Sequence, residues 1–255
     1  MTDVFTPPAQ SADGTGSPYA ADVTRRIAGL DWPAIKAALG ERGAAKTAMI
    51  LTPEERALLA HQYDDDTKFR SRVVMARHGY GRGEYKYFAY PLPPLVAALR
   101  RALYPRLVPI ANEWSESLGA ATRFPEQHGD FLARCHAAGQ TRPTPLLLRY
   151  GADDYNCLHQ DLYGENVFPL QVVFLLSQPG HDFEGGQFVL TEQRPRFQSR
   201  AEVIDLKQGE AVIFAVHQRP VRGTRGTYRV TMRHGVSRIT SGHRNTLGII
   251  FHDAV

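Results

Sequence analysis

Cysteine is scarce. Cys135 and Cys157 are the only two in 255 residues, and they show no CxxC spacing. A disulfide scaffold is thereby excluded. Long apolar runs are missing as well. A membrane helix needs roughly 18–20 consecutive apolar residues, whereas the longest run, within Val167–Leu176, carries Pro169 and Gln171. The first 20 residues lack the basic-plus-apolar pattern of a secretory signal, so the protein is expected in the cytoplasm of a prokaryote-like cell, away from membranes. There is no internal repeat and no heptad pattern. Neither sign of charge dominates, with 30 Lys and Arg against 26 Asp and Glu. Hydrophobic residues at 43% and charged residues at 22% are ordinary for a globular chain and exclude wholesale disorder. The length suits one large domain or two small ones; oligomeric state is not encoded legibly.

The charge that is present is segregated. Nine Lys and Arg stand between Lys68 and Arg106 against a single acid, Glu84. Eleven stand between Arg194 and Arg244 against Glu202, Asp205 and Glu210. Such clusters imply an electropositive face and an anionic partner. The plainer alternative is that these residues decorate the outer faces of strands and loops.

Along the chain, residues 1–21 are rich in Ser, Gly, Pro, Thr and Asp and read as a flexible tail. Residues 22–144 read as a mainly helical support region. Asp31 can cap a helix through Leu39, and Thr52-Pro53-Glu54-Glu55 has the capping-box pattern for a helix toward Tyr63. A short strand is expected at Ala48–Leu51. Further helices are expected at Leu95–Leu103, Leu107–Leu118 and Pro125–Ala138, and Arg70–Tyr90 reads as strands around a glycine-bearing basic loop. From Pro145 onward, eight short β-rich runs follow one another, ending with Arg229–Val236 and Thr246–Phe251. That spacing predicts an antiparallel sandwich or barrel, so residues 145–255 form a β-core and the fold class is α+β, with residues 22–255 forming one integrated domain.

The chemistry centres on His159-Gln160-Asp161. On an extended strand, residues i and i+2 point to one side, so imidazole and carboxylate can reach the same metal. A second His-x-Asp, His128-Gly129-Asp130, precedes a helical stretch, where i and i+2 diverge by about 200°, and reads as structural. For a third ligand, Tyr228, Val230, Met232 and His234 share one face of a predicted strand. The apolar members mark that face as inward, favouring His234 over its rival His217. Two His and one Asp leave coordination positions open, as an iron(II) oxygenase requires. Arg244, at the start of the last predicted strand, suits a carboxylate through its planar fork. A dicarboxylate cosubstrate chelating iron at one end would present that carboxylate at the other.

Arg149-Tyr150, His159-Gln160-Asp161 and His234-Gly235-Val236, followed by Arg244, together resemble AlkB-type 2-oxoglutarate/iron(II) dioxygenases. Phe183-Glu184-Gly185-Gly186 is similar to the turn of prolyl-hydroxylase-like members of that superfamily. The whole chain looks most like a prokaryotic oxygenase family regarded as acting on damaged nucleic acid. The resemblance implies a double-stranded β-helix (jelly roll) with iron(II) held by His159, Asp161 and His234. It also implies 2-oxoglutarate gripped by Arg244 with help from Tyr150, with O2 as cosubstrate. Two positions depart from the AlkB pattern: Leu148 replaces a cosubstrate-binding Asn, and Ile250 replaces a second Arg. The implied activity is oxidative demethylation of alkylated bases in single-stranded or damaged DNA or RNA; the first basic cluster and the aromatics beside it put forward Arg82, Lys86 and Tyr85 as the expected substrate contacts. The competing expectations are a hydroxylase of a protein side chain or small molecule, and a non-catalytic cupin-like metal-binding protein.

Overall fold

The computed structural model describes residues 19–224 and 226–255, so the expected tail lies outside the described residues apart from its last three positions. Five helices are present among them: α1 (Ala20–Ala28), α2 (Trp32–Arg42), α3 (Pro53–Gln62), α4 (Pro94–Ser117) and α5 (His128–Ala137). The first strands are β1 (Ala44–Lys46), β2 (Phe69–Val74), β3 (Gly81–Arg82), β4 (Glu84–Phe88), β5 (Leu146–Tyr150), β6 (Tyr155–His159) and β7 (Leu170–Leu175). They are followed by β8 (Phe183–Gly185), β9 (Phe188–Gln193), β10 (Arg200–Ile204) and β11 (Ala211–Ala215). The last are β12 (Gln218–Gly223), β13 (Gly226–Val236), β14 (Ile239–Gly242) and β15 (Arg244–Ile249).

Thirteen of the strands make two facing antiparallel sheets, and β8 pairs with β14 in a separate two-stranded ribbon. One has seven strands in the order β1-β11-β7-β15-β5-β4-β2. The other runs β10-β9-β13-β6-β3, with β12 added alongside β13. Together they form a double-stranded β-helix. The N-terminal region does more than support it with helices, because β1, β2 and β4 complete the larger sheet and β3 joins the smaller. In β7 and β15, Gln171, Val173, Arg244 and Thr246 line an internal cavity. Their alternates Val172, Phe174, Leu247 and Ile249 are buried on the opposite face in the main apolar core, beside which α3 and α4 pack.

Local chemistry sets the helix starts. The Asp31 carboxylate accepts from the Ala34 N–H at 3.0 Å. Thr52 and Glu55 exchange both capping-box bonds, at 3.2 and 2.9 Å. Both oxygens of the same Glu55 accept from Arg26 Nη2, at 2.6 and 2.7 Å, tying α3 to α1. Helix α1 itself begins inside the stretch expected to be tail.

Two expectations need correction. The strand expected at Ala48–Leu51 lies earlier, at Ala44–Lys46. After Thr47 bonds Ala211, the chain passes the first residue of β11, and the Ile50 and Leu51 N–H groups share the Gly209 carbonyl instead of continuing the ladder. The two helices expected at Leu95–Leu103 and Leu107–Leu118 are one, α4, which runs through Pro105 and Pro109. Both prolines face solvent one turn apart, so the carbonyls they leave unbonded lie toward water. Leu103, Tyr104, Leu107, Val108 and Ile110, all buried, hold the helix together across them.

Candidate active site: a metal-ligating triad and a buried arginine

A β-bulge in the β13–β6 ladder sets the first two imidazoles opposite each other, with His234 in register with His159. Their ring centroids lie 4.2 Å apart. Asp161 follows just past the end of β6. Its Oδ1 is 3.5 Å from His159 Nε2 and its Oδ2 is 3.4 Å from His234 Nε2. One ligand atom from each residue falls within 4.8 Å of the others. With metal–ligand bonds near 2.1 Å, neighbouring ligands of an octahedral ion sit about 3 Å apart, so the three fit a metal with slight contraction.

The surrounding bonds prepare these groups. His159 Nδ1 donates to the Cys157 carbonyl at 2.8 Å, which leaves its Nε2 lone pair free to ligate. Burial and the neighbouring His159 hold the His234 pKa below the usual histidine range, favouring the neutral ring. That ring packs against both Phe188 and Phe214, stacked on the first with centroids 5.9 Å apart and tilted on the second at 4.6 Å. Burial alone would raise the Asp161 pKa. The hydrogen bond and charge of His234, with His159 and Tyr163, overcome it and keep the carboxylate ionised. The Tyr163 phenol donates to Asp161 Oδ1 at 2.6 Å and itself receives the Tyr87 hydroxyl at 2.9 Å. Gln160, between the two ligands, donates to the Met232 carbonyl at 2.7 Å and so ties the His-x-Asp segment to β13.

A cavity of about 220 Å³ opens beside the triad, lined from both sheets. Arg244 reaches into it and is 2% exposed. Its Nε and Nη1 have no hydrogen-bond partner among the described residues; the same holds for Tyr150 Oη, Gln171 Oε1 and His234 Nδ1. Tyr150 stands directly opposite Arg244 in the β15–β5 ladder. Burial lowers the Arg244 pKa to about 10 and raises that of Tyr150, so the guanidinium is charged and the phenol neutral at pH 7. A buried cation without an anion, beside two unsatisfied polar side chains, is the lining a dicarboxylate would complete. The Gly185-Gly186 turn serves this arginine. Both glycines have positive φ, 74° and 60°. A Cβ on Gly186 would lie 2.9 Å from Arg244 Cδ. Leu148 lines the same cavity, and Ile250 is packed with Tyr87 and Leu146, so both AlkB departures are filled by apolar packing.

Tyr163 and Gln171 were not found from sequence. Tyr163 lies in an irregular segment without periodicity. Gln171 interrupts the otherwise apolar Leu170–Leu175, which is the one signal that could have marked it. His128 behaves as expected, buried at the start of α5 with Nε2 2.8 Å from the Phe251 carbonyl. His217 stands at the start of the turn into β12, outside the triad.

The expected substrate contacts divide. Arg82 is exposed, with Nε 3.9 Å from Asp154. Tyr85 is half-buried in the cavity wall. Lys86 is corrected: it is buried, its Nζ donates to the Tyr63 carbonyl at 2.8 Å and to Asp66 at 2.6 Å, and it has no free charge to offer a strand. Much of the first basic cluster is spent likewise. Arg72 pairs with Glu84, Arg70 donates to the Pro143 carbonyl, and buried Arg100 pairs with Asp253.

A barrel that offers one face of a metal and, across the cavity, an arginine for a keto-diacid meets the requirements of the 2-oxoglutarate/iron(II) dioxygenases. Comparison with known proteins agrees. Residues 83–254 match the Oxygenase-NA family, described as an oxygenase catalysing oxidative methylation of damaged DNA. An uncharacterized protein of Mycobacterium tuberculosis H37Rv is 53% identical over 190 residues, covering 72% of this chain and 82% of that one. The chain belongs to the Oxygenase-NA family. Among solved structures, the fold is similar to a 2-oxoglutarate/iron(II) oxygenase-family oxidoreductase from Burkholderia pseudomallei. That match has a TM-score of 0.51 and 15% identity, covering 88% of this chain and 92% of that one. A prolyl-4-hydroxylase from Pseudomonas putida matches with a TM-score of 0.50 and 15% identity, over 88% and 99% of the two chains. No helix among the described residues is long and apolar enough to cross a membrane.

Proposed function

We propose that this protein oxidatively demethylates alkylated bases in nucleic acid, using iron(II) bound by His159, Asp161 and His234 and 2-oxoglutarate anchored by Arg244 and Tyr150. The observation that carries the reading is the cavity itself. Its triad and its unpaired buried arginine sit behind a wall of Tyr85, Tyr87 and Tyr163, in a chain whose family is described for damaged DNA. When bound, the iron(II)–2-oxoglutarate pair with O2 supplies an oxidant for a substrate C–H bond and releases succinate and carbon dioxide.

The chain's own residues do the rest. Arg244 and Tyr150 hold the distal carboxylate and so orient the keto-acid end toward the triad. Phe188, Val173 and Leu148 keep that end of the cavity apolar, limiting water. Tyr163 holds Asp161 in position. At the rim, Tyr80 is half-exposed and stacks on His78 at 5.3 Å, offering a flat face to an extruded base. Flipping a base from duplex costs a few kcal/mol, so single strands and damaged pairs are the favoured substrates. Hydroxylation of an N-methyl group gives a hydroxymethyl base that collapses to formaldehyde and the restored base.

The Glu-Gly-Gly turn does not by itself favour protein hydroxylation, because Gly186 makes room for Arg244 and Gly185 for the approach of the Arg238 carbonyl, neither of which selects a protein substrate. The deciding assay adds iron(II) and 2-oxoglutarate anaerobically, admits O2, and follows methylated oligonucleotides by mass. Loss of about 14 Da with formaldehyde release is the expected outcome. Succinate formation with every oligonucleotide mass unchanged would refute the nucleic-acid substrate, and no succinate at all would indicate a non-catalytic binding protein.

A further inference from the structure

The second basic cluster is divided by strand parity. On β13, Val230, Met232 and His234 are buried and face inward, while Arg229 and Arg233 are exposed on the outer face. On β12, Arg222 stands opposite Thr227 and Pro220 opposite Arg229, which places Arg222 on the same outer face. Arg219 takes the other parity and is spent within the fold, paired with buried Glu192, which Arg194 also reaches. Arg222, Arg229 and Arg233 make no ion pair among the described residues. No carboxylate shares their face on β9, β10, β12 or β13, since Glu192 and Glu202 both take the inward parity.

We propose that this outer face of β12 and β13 is the docking surface for the phosphodiester backbone of the substrate strand, with Arg222, Arg229 and Arg233 as its phosphate contacts. The inference rests on the nucleic-acid reading above and names the surface that reading lacks, given that Lys86 and most of the first cluster are internally paired. Arg229 and Arg233 are four residues apart, a span of roughly 13 Å along the strand. Thr231 lies between them with Gln218 opposite, so hydroxyl and amide groups interleave with the guanidiniums. That pattern suits discrete phosphate oxygens better than a lipid surface, which would favour interleaved apolar groups. The row lies on the same strand as His234 but on the opposite face of the sheet from the cavity, and Gln160 joins the His-x-Asp segment to the Met232 carbonyl of that strand.

The test measures binding of an unmodified 20-nucleotide single strand to the anaerobic iron(II)–2-oxoglutarate holoenzyme by fluorescence anisotropy across 50–200 mM salt. The variants are the triple Arg222→Gln, Arg229→Gln, Arg233→Gln, the same triple to Lys, and a charge-matched control, Arg25→Gln, Arg101→Gln, Arg106→Gln. Each neutralised contact removes about 0.7 from the log–log salt slope, so the first triple should lower the slope by about 2. Across that salt range wild type would then lose about 20-fold more affinity than the variant. The Lys triple and the control should keep the wild-type slope, and matching thermal midpoints would show that all variants are folded. An unchanged slope in the Gln triple, while wild type binds and demethylates, overturns the docking face and leaves the function standing. An equal loss in the control reduces the effect to net charge and also overturns it. Failure of wild type to bind or process any polynucleotide overturns both, and binding of phosphatidylserine vesicles instead would assign the face to a membrane.

Discussion

Arg244→Met separates the cost of the buried arginine from its use. The guanidinium is buried without an anion, and burial lowers its pKa from 12.5 to about 10. At 1.36 kcal/mol per pH unit this corresponds to about 3 kcal/mol of destabilisation. For a base with a lowered folded-state pKa, the penalty is complete below about pH 10 and fades as pH rises toward 12.5, so it acts in full at pH 7. Methionine keeps most of the stem volume and carries no charge. The ligand-free variant should therefore unfold at higher temperature than wild type, by about 2–4 °C per kcal/mol recovered. With 2-oxoglutarate the order should reverse. Wild type gains a buried charge pair worth roughly 2–5 kcal/mol, and the variant gains none. Thermal unfolding with a redox-inert divalent metal, with and without 2-oxoglutarate, reads both effects. A ligand-free variant less stable than wild type, or one that 2-oxoglutarate stabilises equally, would refute the assignment of Arg244.

Other perturbations test neighbouring parts of the argument. Tyr163→Phe removes the phenol held 2.6 Å from Asp161 Oδ1 and should weaken metal binding about 10- to 100-fold, measured by manganese(II) titration. An unchanged affinity would make Tyr163 a packing residue. Gly186→Ala introduces a Cβ 2.9 Å from Arg244 Cδ at a φ of +60°, and should raise the KM for 2-oxoglutarate while metal affinity holds. Arg100→Met leaves the Asp253 carboxylate buried, with Tyr90 and His136 as its remaining side-chain partners, and should cost about 3–5 kcal/mol in urea unfolding. Lys86→Gln should leave polynucleotide affinity unaltered, because its charge already faces Asp66; a clear loss of affinity would restore it as a strand contact.

Much of the site was legible because its signals are local. A period of two along Tyr228–Val236 placed His234 inward with Val230 and Met232, and the same parity now separates Arg229 and Arg233 from the interior. The spacing in His159-Gln160-Asp161 is readable because the segment enters from an extended strand. The caps at Asp31 and Thr52 are satisfied within three residues of chain. Where local signals competed with packing, packing prevailed. The two helices expected at Leu95–Leu103 and Leu107–Leu118 are one, because the buried face of α4 continues across Pro105 and Pro109.

The sequence alone thus determined which residues can ligate a metal, which strands form the core, and where charge accumulates. Only the tertiary structure decided how that charge is spent: Lys86 on Asp66, Arg100 on Asp253, Arg219 on Glu192, and Arg244 on no carboxylate among the described residues. It also brought Tyr87 to Tyr163, and Gln171 and Tyr150 to one cavity. Ion pairing and convergence depend on which distant strands become neighbours, and no periodicity within one strand carries that information.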